Sequence, residues 1–195
     1  MAELMTNETV RIYPHDRLMN ALLVRFLPQQ LHPNHVTLFR FFLIPFVVYY
    51  VYISDWSVAV PLFVFAAFTD ALDGSMARLR KQITVWGTFA DPGADKLLIG
   101  SVVVVFVARD VNPAFAAVII LVEVLILLTG LIRGRKRLVV SANWAGKLKM
   151  LFQVIGVTIL LIAKWSGLVL LVPISIGTLT IAIVFAVVSL LTYSL

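Results

Sequence analysis

The chain has 195 residues, 61% of them hydrophobic and only 13% charged, with a mean hydropathy of +1.00. A soluble domain of this size cannot hide so much apolar surface, so a bilayer is the expected solvent. Without cysteine, disulfides and thiolate metal sites are excluded. The net charge of +6 then reflects loop orientation and attraction to anionic lipids or phosphates rather than to nucleic acid.

The chain opens on a polar stretch, MAELMTNETVRIYPHD, with no apolar segment of signal-peptide type. In the following DRLMNALLVRFLPQQ, Leu18, Met19, Leu22, Leu23, Phe26 and Leu27 recur at helical spacing. Arg17, Asn20 and Arg25 fall largely off that stripe. The pattern suits an amphipathic helix lying in the membrane interface, or an ordinary packed helix. Pro28 and Pro33 break the chain after it.

A helix needs roughly 20 apolar residues to cross the hydrocarbon. Six candidates follow, near Val36–Ile53, Trp56–Leu72, Lys96–Ala108, Pro113–Ile132, Leu148–Ala163 and Leu168–Tyr193. The expected fold is therefore an all-α integral membrane protein. Residues 1–35 form a cytoplasmic N-terminus with the interfacial helix, and residues 36–195 a six-helix transmembrane catalytic domain. Arg11, Arg17 and Arg25 precede the first span. Arg78, Arg80 and Lys81 follow the second, Arg133, Arg135, Lys136 and Arg137 the fourth, and Lys147 and Lys149 open the fifth. The opposite loops carry only Arg109 and Lys164. This asymmetry places both termini and the loop between the second and third spans on the cytoplasmic side.

That loop and its flanks hold four of the ten acidic residues, Asp70, Asp73, Asp91 and Asp95. A carboxylate within a membrane costs roughly 2.5–3.5 kcal/mol on insertion scales, so four together imply a function. Asp70 and Asp73 share a helix face, continued by Gly74 and Ala77, with Arg78 one residue on. Asp91 and Asp95 share a face of the next segment, with Gly87 one turn earlier. Two short-linked helices would present two carboxylate pairs above a floor of small residues. Clustered carboxylates repel one another, and divalent cations relieve the repulsion. All-oxygen ligands with no nearby histidine or cysteine suit Mg²⁺ or Mn²⁺. Gly74 and Ala77 then leave room for a nucleotide or phosphate, with which Arg78 can pair. The competing reading is structural: the aspartates cap helices or pair with Arg78, Arg80 and Lys81. Pro92 either interrupts the second helix or marks its start, with Asp91 as N-cap. His15, His32 and His35 read as interfacial side chains.

The spacing Asp70-x2-Asp73-Gly74-x2-Ala77-Arg78-x8-Gly87-x3-Asp91-x3-Asp95 resembles the complete signature of the CDP-alcohol phosphotransferase family. HPNHVTLFR is similar to that family's Pro-Asn-x-x-Thr element at the first span. The resemblance implies attack of a hydroxyl on the β-phosphorus of a CDP-linked lipid, with CMP leaving. It implies that Asp70, Asp73, Asp91 and Asp95 hold two divalent ions and that Asp95 is the general base. It also implies that Asn34, Thr37, Asp70, Gly74, Ala77, Arg78 and Gly87 bind the CDP group, and that the protein is a homodimer.

TVWGTFADPGADKLL, and GKLKMLFQ with Gly146, Lys147, Lys149 and Gln153, resemble the phosphatidylglycerophosphate synthase branch, whose acceptor is glycerol 3-phosphate. Arg133, Arg135, Lys147 and Lys149 are candidates for the acceptor phosphate, although loop cations also simply set topology. Two elements differ. Val122 stands before Glu123 where that branch carries an Arg-Glu pair, and HDRLMNALLVRF is more similar to relatives using other polar alcohols, including inositol phosphate. A small cation or proton transporter is the alternative of another class, because intramembrane carboxylates also line ion paths. Transport sites sit near the midplane, whereas these aspartates fall at the cytoplasmic ends of spans.

Overall fold

The computed structural model describes residues 14–28, 30–82, 84–135 and 144–194, and among them the chain is helical throughout. Seven α-helices follow in order: α1 (Pro14–Leu22), α2 (Pro33–Tyr52), α3 (Trp56–Leu79), α4 (Val85–Phe106), α5 (Pro113–Arg135), α6 (Trp144–Ser166) and α7 (Leu171–Ser194). A 3₁₀ turn, Val24–Phe26, follows α1, and a π-helical stretch, Val107–Val111, extends α4.

Four helices are long and apolar enough to cross a bilayer among the described residues: α2, α3, α6 and α7 over Leu171–Thr192. Within α5, the described residues give a shorter apolar run, Pro113–Ile126. The third apolar run, near Lys96–Ala108, is the second half of α4, which begins at Val85, so Asp91, Asp95 and Lys96 lie in the same helix. Asp91 is thus inside α4 and is not its N-cap, and Pro92 lies in the helix interior.

The side chains of α2 are sorted the opposite way from those of a helix in water. Its inner face buries Thr37 and Arg40 with Val36, Leu43, Ile44, Val47 and Val51. Its outer face exposes Leu38, Phe39, Phe42, Phe46, Tyr49 and Tyr52. Aromatic rings out and a guanidinium in is a stable arrangement only where the surroundings are apolar.

The chain divides into two compact units, one running through Ile53 together with Val58–Leu98, the other comprising Ser54–Ser57 and the chain from Ile99 onward. In the first, α1 and the 3₁₀ turn pack on the end of α3. Val24, Val36 and Met76 form a buried cluster flanked by Met19, Leu27, Leu31, Leu72 and Leu79. The apolar stripe expected of a continuous interfacial helix is therefore split. Met19 and Leu27 face this cluster, while Phe26 is 71% exposed. The Arg80 guanidinium donates to the carbonyls of Val24, Leu27, Pro28 and Leu31 at 2.8–3.3 Å, tying the irregular stretch after α1 to α3. α3 ends at a sharp reversal: Gln82 N–H donates to the Ala77 carbonyl (3.0 Å) and Lys81 N–H to that of Arg78 (3.4 Å), with Lys81 left-handed at φ 54°. This is a Schellman turn with lysine in the position glycine usually takes.

In the second unit, α6 and α7 pack along complementary seams. α7 buries Ser175, Leu179, Ala182, Ala186 and Ser189, alternating steps of four and three residues. α6 buries Lys149, Gln153, Gly156, Leu160 and Ala163 on the same rhythm. That rhythm keeps one face toward a partner, and small residues let the backbones approach. The approach is tightest at Gly156, where an added Cβ would lie 2.7 Å from Leu179 Cδ2. At one end of this unit, Lys164 pairs with Asp110 (3.0 Å) and stands over the rings of Trp56 and Phe106.

Replacing Gly156 with leucine should separate α6 from α7. Overpacking of this kind costs typically 1–3 kcal/mol, so the thermal midpoint in detergent should fall, with Gly156→Ala falling less. A Gly156→Leu protein that melts like wild type would show that the seam is not close-packed at this position.

Candidate active site

α2, α3 and α4 converge so that one face of α2, carrying Asn34, Thr37 and Arg40, meets all four aspartates. The Thr37 hydroxyl lies 3.0 Å from Asp73 Oδ2 and 2.9 Å from Asp91 Oδ1. With a single proton it donates to one at a time. One turn further, Arg40 Nη1 lies 2.7 Å from Asp70 Oδ1 and 3.1 Å from Asp95 Oδ1, while Nη2 pairs with Asp73 Oδ2. Arg40 is wholly buried and Asp73 nearly so, whereas Asp70 and Asp95 are 40% and 37% exposed. The sequence reading assigned Arg40 no part in the cluster. A charged residue in the middle of an apolar span is the signal that marks it.

Neutralisation is thus partly internal, from a residue of α2. One guanidinium against four carboxylates still leaves a formal excess of three negative charges. Asp73 Oδ1 is moreover buried with no hydrogen-bond partner. An orphaned buried carboxylate oxygen in an all-oxygen, electron-rich cluster fits a hard divalent cation. Among the described residues, no three carboxylates or histidines are arranged as a ligand set around one point. Arg40 stands among Asp70, Asp73 and Asp95.

Beside the cluster lies a cavity of about 150 Å³. Its walls include six of the seven residues that the sequence resemblance assigns to CDP: Asn34, Thr37, Gly74, Ala77, Arg78 and Gly87. Asp91 adds a carboxylate, and Gln82 and Thr84 complete the polar lining. The seventh residue, Asp70, is not in the wall. A Cβ at Gly74 would sit 3.3 Å from Arg78 Nη1, and one at Gly87 3.1 Å from Thr84 Oγ1 and 3.3 Å from Asn34 Oδ1. Both glycines therefore keep the wall open where side chains would crowd. Thr84 donates to Asn34 Oδ1 (2.9 Å) and accepts from Gly87 N–H (3.0 Å), fixing the start of α4 against α2. Gln82, delivered by the Schellman turn, has its Oε1 buried and unpartnered. Neither Gln82 nor Thr84 was singled out from sequence.

The four cations expected to meet an acceptor phosphate are not equivalent. The side chains of Arg133 and Arg135 lie outside the described residues, as do Lys136 and Arg137. Lys147 is exposed. Lys149 is nearly buried and pairs with Glu123 of α5 at 2.5 Å, beside the buried Gln153. These three residues line a second, apolar-walled cavity of about 20 Å³, enough for a single water.

A signature of aspartates gathered by buried threonine and arginine beside a small-walled polar cavity is what a membrane transferase acting on CDP-linked substrates needs. The CDP-alcohol phosphatidyltransferase family profile matches residues 30–192, and the chain belongs to that family. Its similar relatives include the CDP-diacylglycerol--glycerol-3-phosphate 3-phosphatidyltransferase of Bacillus subtilis, 34% identical over 80% of this chain and 90% of the relative. The protein of the same name from Pectobacterium atrosepticum is 36% identical over 83% and 91% respectively. That from Yersinia pestis is 40% identical over 62% of this chain and 71% of its own.

Replacing Arg40 with methionine would leave Asp73 buried without a counter-charge. Breaking a buried pair this way costs about 3–5 kcal/mol, so the thermal midpoint in detergent should drop sharply, and Arg40→Lys, with one point charge for three carboxylates, should fall between. A midpoint indifferent to Arg40→Met would mean the aspartates tolerate one another unaided.

Proposed function

We propose that this protein transfers the phosphatidyl group of CDP-diacylglycerol to sn-glycerol 3-phosphate, releasing CMP and forming phosphatidylglycerophosphate. The observation that carries this reading is the meeting of the four signature aspartates at Thr37 and Arg40, beside a cavity walled by the signature's small residues and Arg78. The activity for which the relatives are named supports the acceptor, and the family match favours a transferase over a cation transporter. The same reaction on inositol phosphate or another polar alcohol is the second reading, supported by HDRLMNALLVRF, with Val122 in place of the branch's arginine as a departure from the first.

In this reading Asn34, Thr37, Gly74, Ala77 and Gly87 take the nucleotide and Arg78 grips its phosphates. Asp70, Asp73, Asp91 and Asp95 would hold two divalent ions, Mg²⁺ or Mn²⁺. Such ions supply charge compensation for a diphosphate and for the departing CMP. Asp95 takes the proton from the acceptor hydroxyl. One of its oxygens meets Arg40 while the side chain is still more than a third exposed, so it is both oriented and reachable. Arg133, Arg135, Lys147 and Lys149 are the candidate cations for the acceptor phosphate, and Lys149 would have to exchange its pairing with Glu123 to serve. The surrounding architecture is six spans with both termini and the site at the cytoplasmic face, α1 at the interface, and a homodimeric assembly. A site at that face admits lipid from the side while a water-soluble product leaves.

The test is an acceptor panel: purified protein, CDP-diacylglycerol, Mg²⁺ and each candidate alcohol, with CMP release measured. Glycerol 3-phosphate should be the preferred acceptor, and thorough chelation should abolish release. Preference for inositol phosphate would reassign the acceptor, and turnover surviving chelation would remove the metal from the scheme.

Asp95→Asn keeps the shape and removes the basicity. General-base assistance is typically worth about 10²–10⁴-fold, so kcat should fall by that order while CMP still binds. Asp70→Asn should instead weaken CMP binding, through a damaged metal site. Near-normal turnover of Asp95→Asn at saturating substrate would assign the proton to another group.

A further inference from the structure

Among the described residues of the first unit, the carboxylate with the fullest set of partners is not one of the signature aspartates. Asp16, in the first turn of α1, is wholly buried. Its Oδ2 accepts from Arg78 Nε at 2.9 Å, and its Oδ1 accepts from Arg78 Nη2 at 2.7 Å and from the Ser75 hydroxyl at 2.8 Å. This is a two-point pairing of carboxylate and guanidinium, the geometry in which arginine is held most rigidly. Asp16 precedes the first residue of the family match, Gln30, so nothing in the signature accounts for it.

Arg78 projects from the last turn of α3 and lines the cavity beside the aspartates. A lone arginine there would sample many rotamers, and ordering such a long side chain on binding has an entropic cost. Asp16 takes the edge of the guanidinium formed by Nε and Nη2. On the same guanidinium, Nη1 is the atom nearest the space above Gly74, 3.3 Å from where a Cβ would stand. The orientation of Arg78 and the absence of a side chain at position 74 are thus two halves of one arrangement.

We propose that Asp16 is a positioning residue of the donor site: it fixes Arg78 across Gly74 so that the guanidinium is already turned to meet the phosphates of the CDP group, and α1 thereby completes the site. The inference rests on the reading of this cavity as the CDP site. Asp16 itself does not touch substrate. Its contribution is to order beforehand a group that would otherwise lose freedom on binding.

The experiment measures CMP binding by calorimetry in detergent with Mg²⁺, alongside steady-state kinetics, for wild type, Asp16→Asn, Asp16→Glu, Arg78→Gln and the double variant Asp16→Asn/Arg78→Gln. Asp16→Asn should weaken CMP binding about tenfold, as expected for losing a hydrogen bond to a charged group. It should raise the KM for CDP-diacylglycerol more than it lowers kcat and leave the acceptor KM in place. Asp16→Glu should recover part of the affinity. In the Arg78→Gln background, Asp16→Asn should have no further effect, because contacting residues that act as one unit are not additive. Equal loss in both backgrounds would show that Asp16 only holds α1 in place, and wild-type CMP affinity in Asp16→Asn would overturn the inference outright. A wild-type chain that binds no CMP would instead remove the donor-site reading, and this inference with it.

Discussion

Four carboxylates at the end of a membrane-spanning bundle can coexist only if something positive stands among them, and in this fold that is Arg40. Its guanidinium reaches Asp70, Asp73 and Asp95 from a helix carrying none of the signature aspartates. One turn earlier, Thr37 reaches Asp73 and Asp91. The face of α2 is thus the template on which α3 and α4 are set in register. Removing a buried charge from water is costly, so the cost of burying Arg40 is offset only where the carboxylates converge. The arrangement of the site and the packing of these three helices are the same fact.

The exposed ring of Phe39, Phe42, Phe46, Tyr49 and Tyr52 follows from this. With its inner face committed to Thr37 and Arg40, α2 must turn aromatic side chains outward, which only an apolar solvent tolerates. In the second unit small residues do the corresponding work. The seam of Gly156 and Leu179 holds α6 to α7 by close approach, since burial of apolar area gains little when the surroundings are equally apolar.

Most of the helices were legible because apolar runs long enough to span a bilayer leave few alternatives, and the signature spacing was legible because its positions are fixed. Arg40 was not, although it stands in HPNHVTLFR, because its partners lie on other helices and spacing within one helix cannot reveal them. The same holds for Asp16, whose partners are Ser75 and Arg78, and for the pairing of Glu123 with Lys149. The helical face of Gly87, Asp91 and Asp95 was legible from spacing, but its continuity with the apolar run after Lys96 was not, because Pro92 reads either as an interruption or as a start; Thr84 and Asn34 anchor the helix from Val85. The apolar stripe after Pro14 promised one continuous helix. Instead the chain turns after Leu22, because the carbonyls of Val24, Leu27, Pro28 and Leu31 turn to Arg80.

That last contact has a consequence for the order of synthesis. The carbonyls that Arg80 satisfies belong to residues 24–31, and the groups that satisfy Asp16 belong to residues 75 and 78. When the N-terminal segment leaves the ribosome, its partners have not yet been made, and they arrive only after α2 and nearly all of α3 have followed. Until then the segment must remain in contact with water or lipid headgroups, which satisfy the same carbonyls and carboxylate. Its docking is therefore a closing step in the assembly of the first unit, possible only once α3 has been completed as far as its last basic turn.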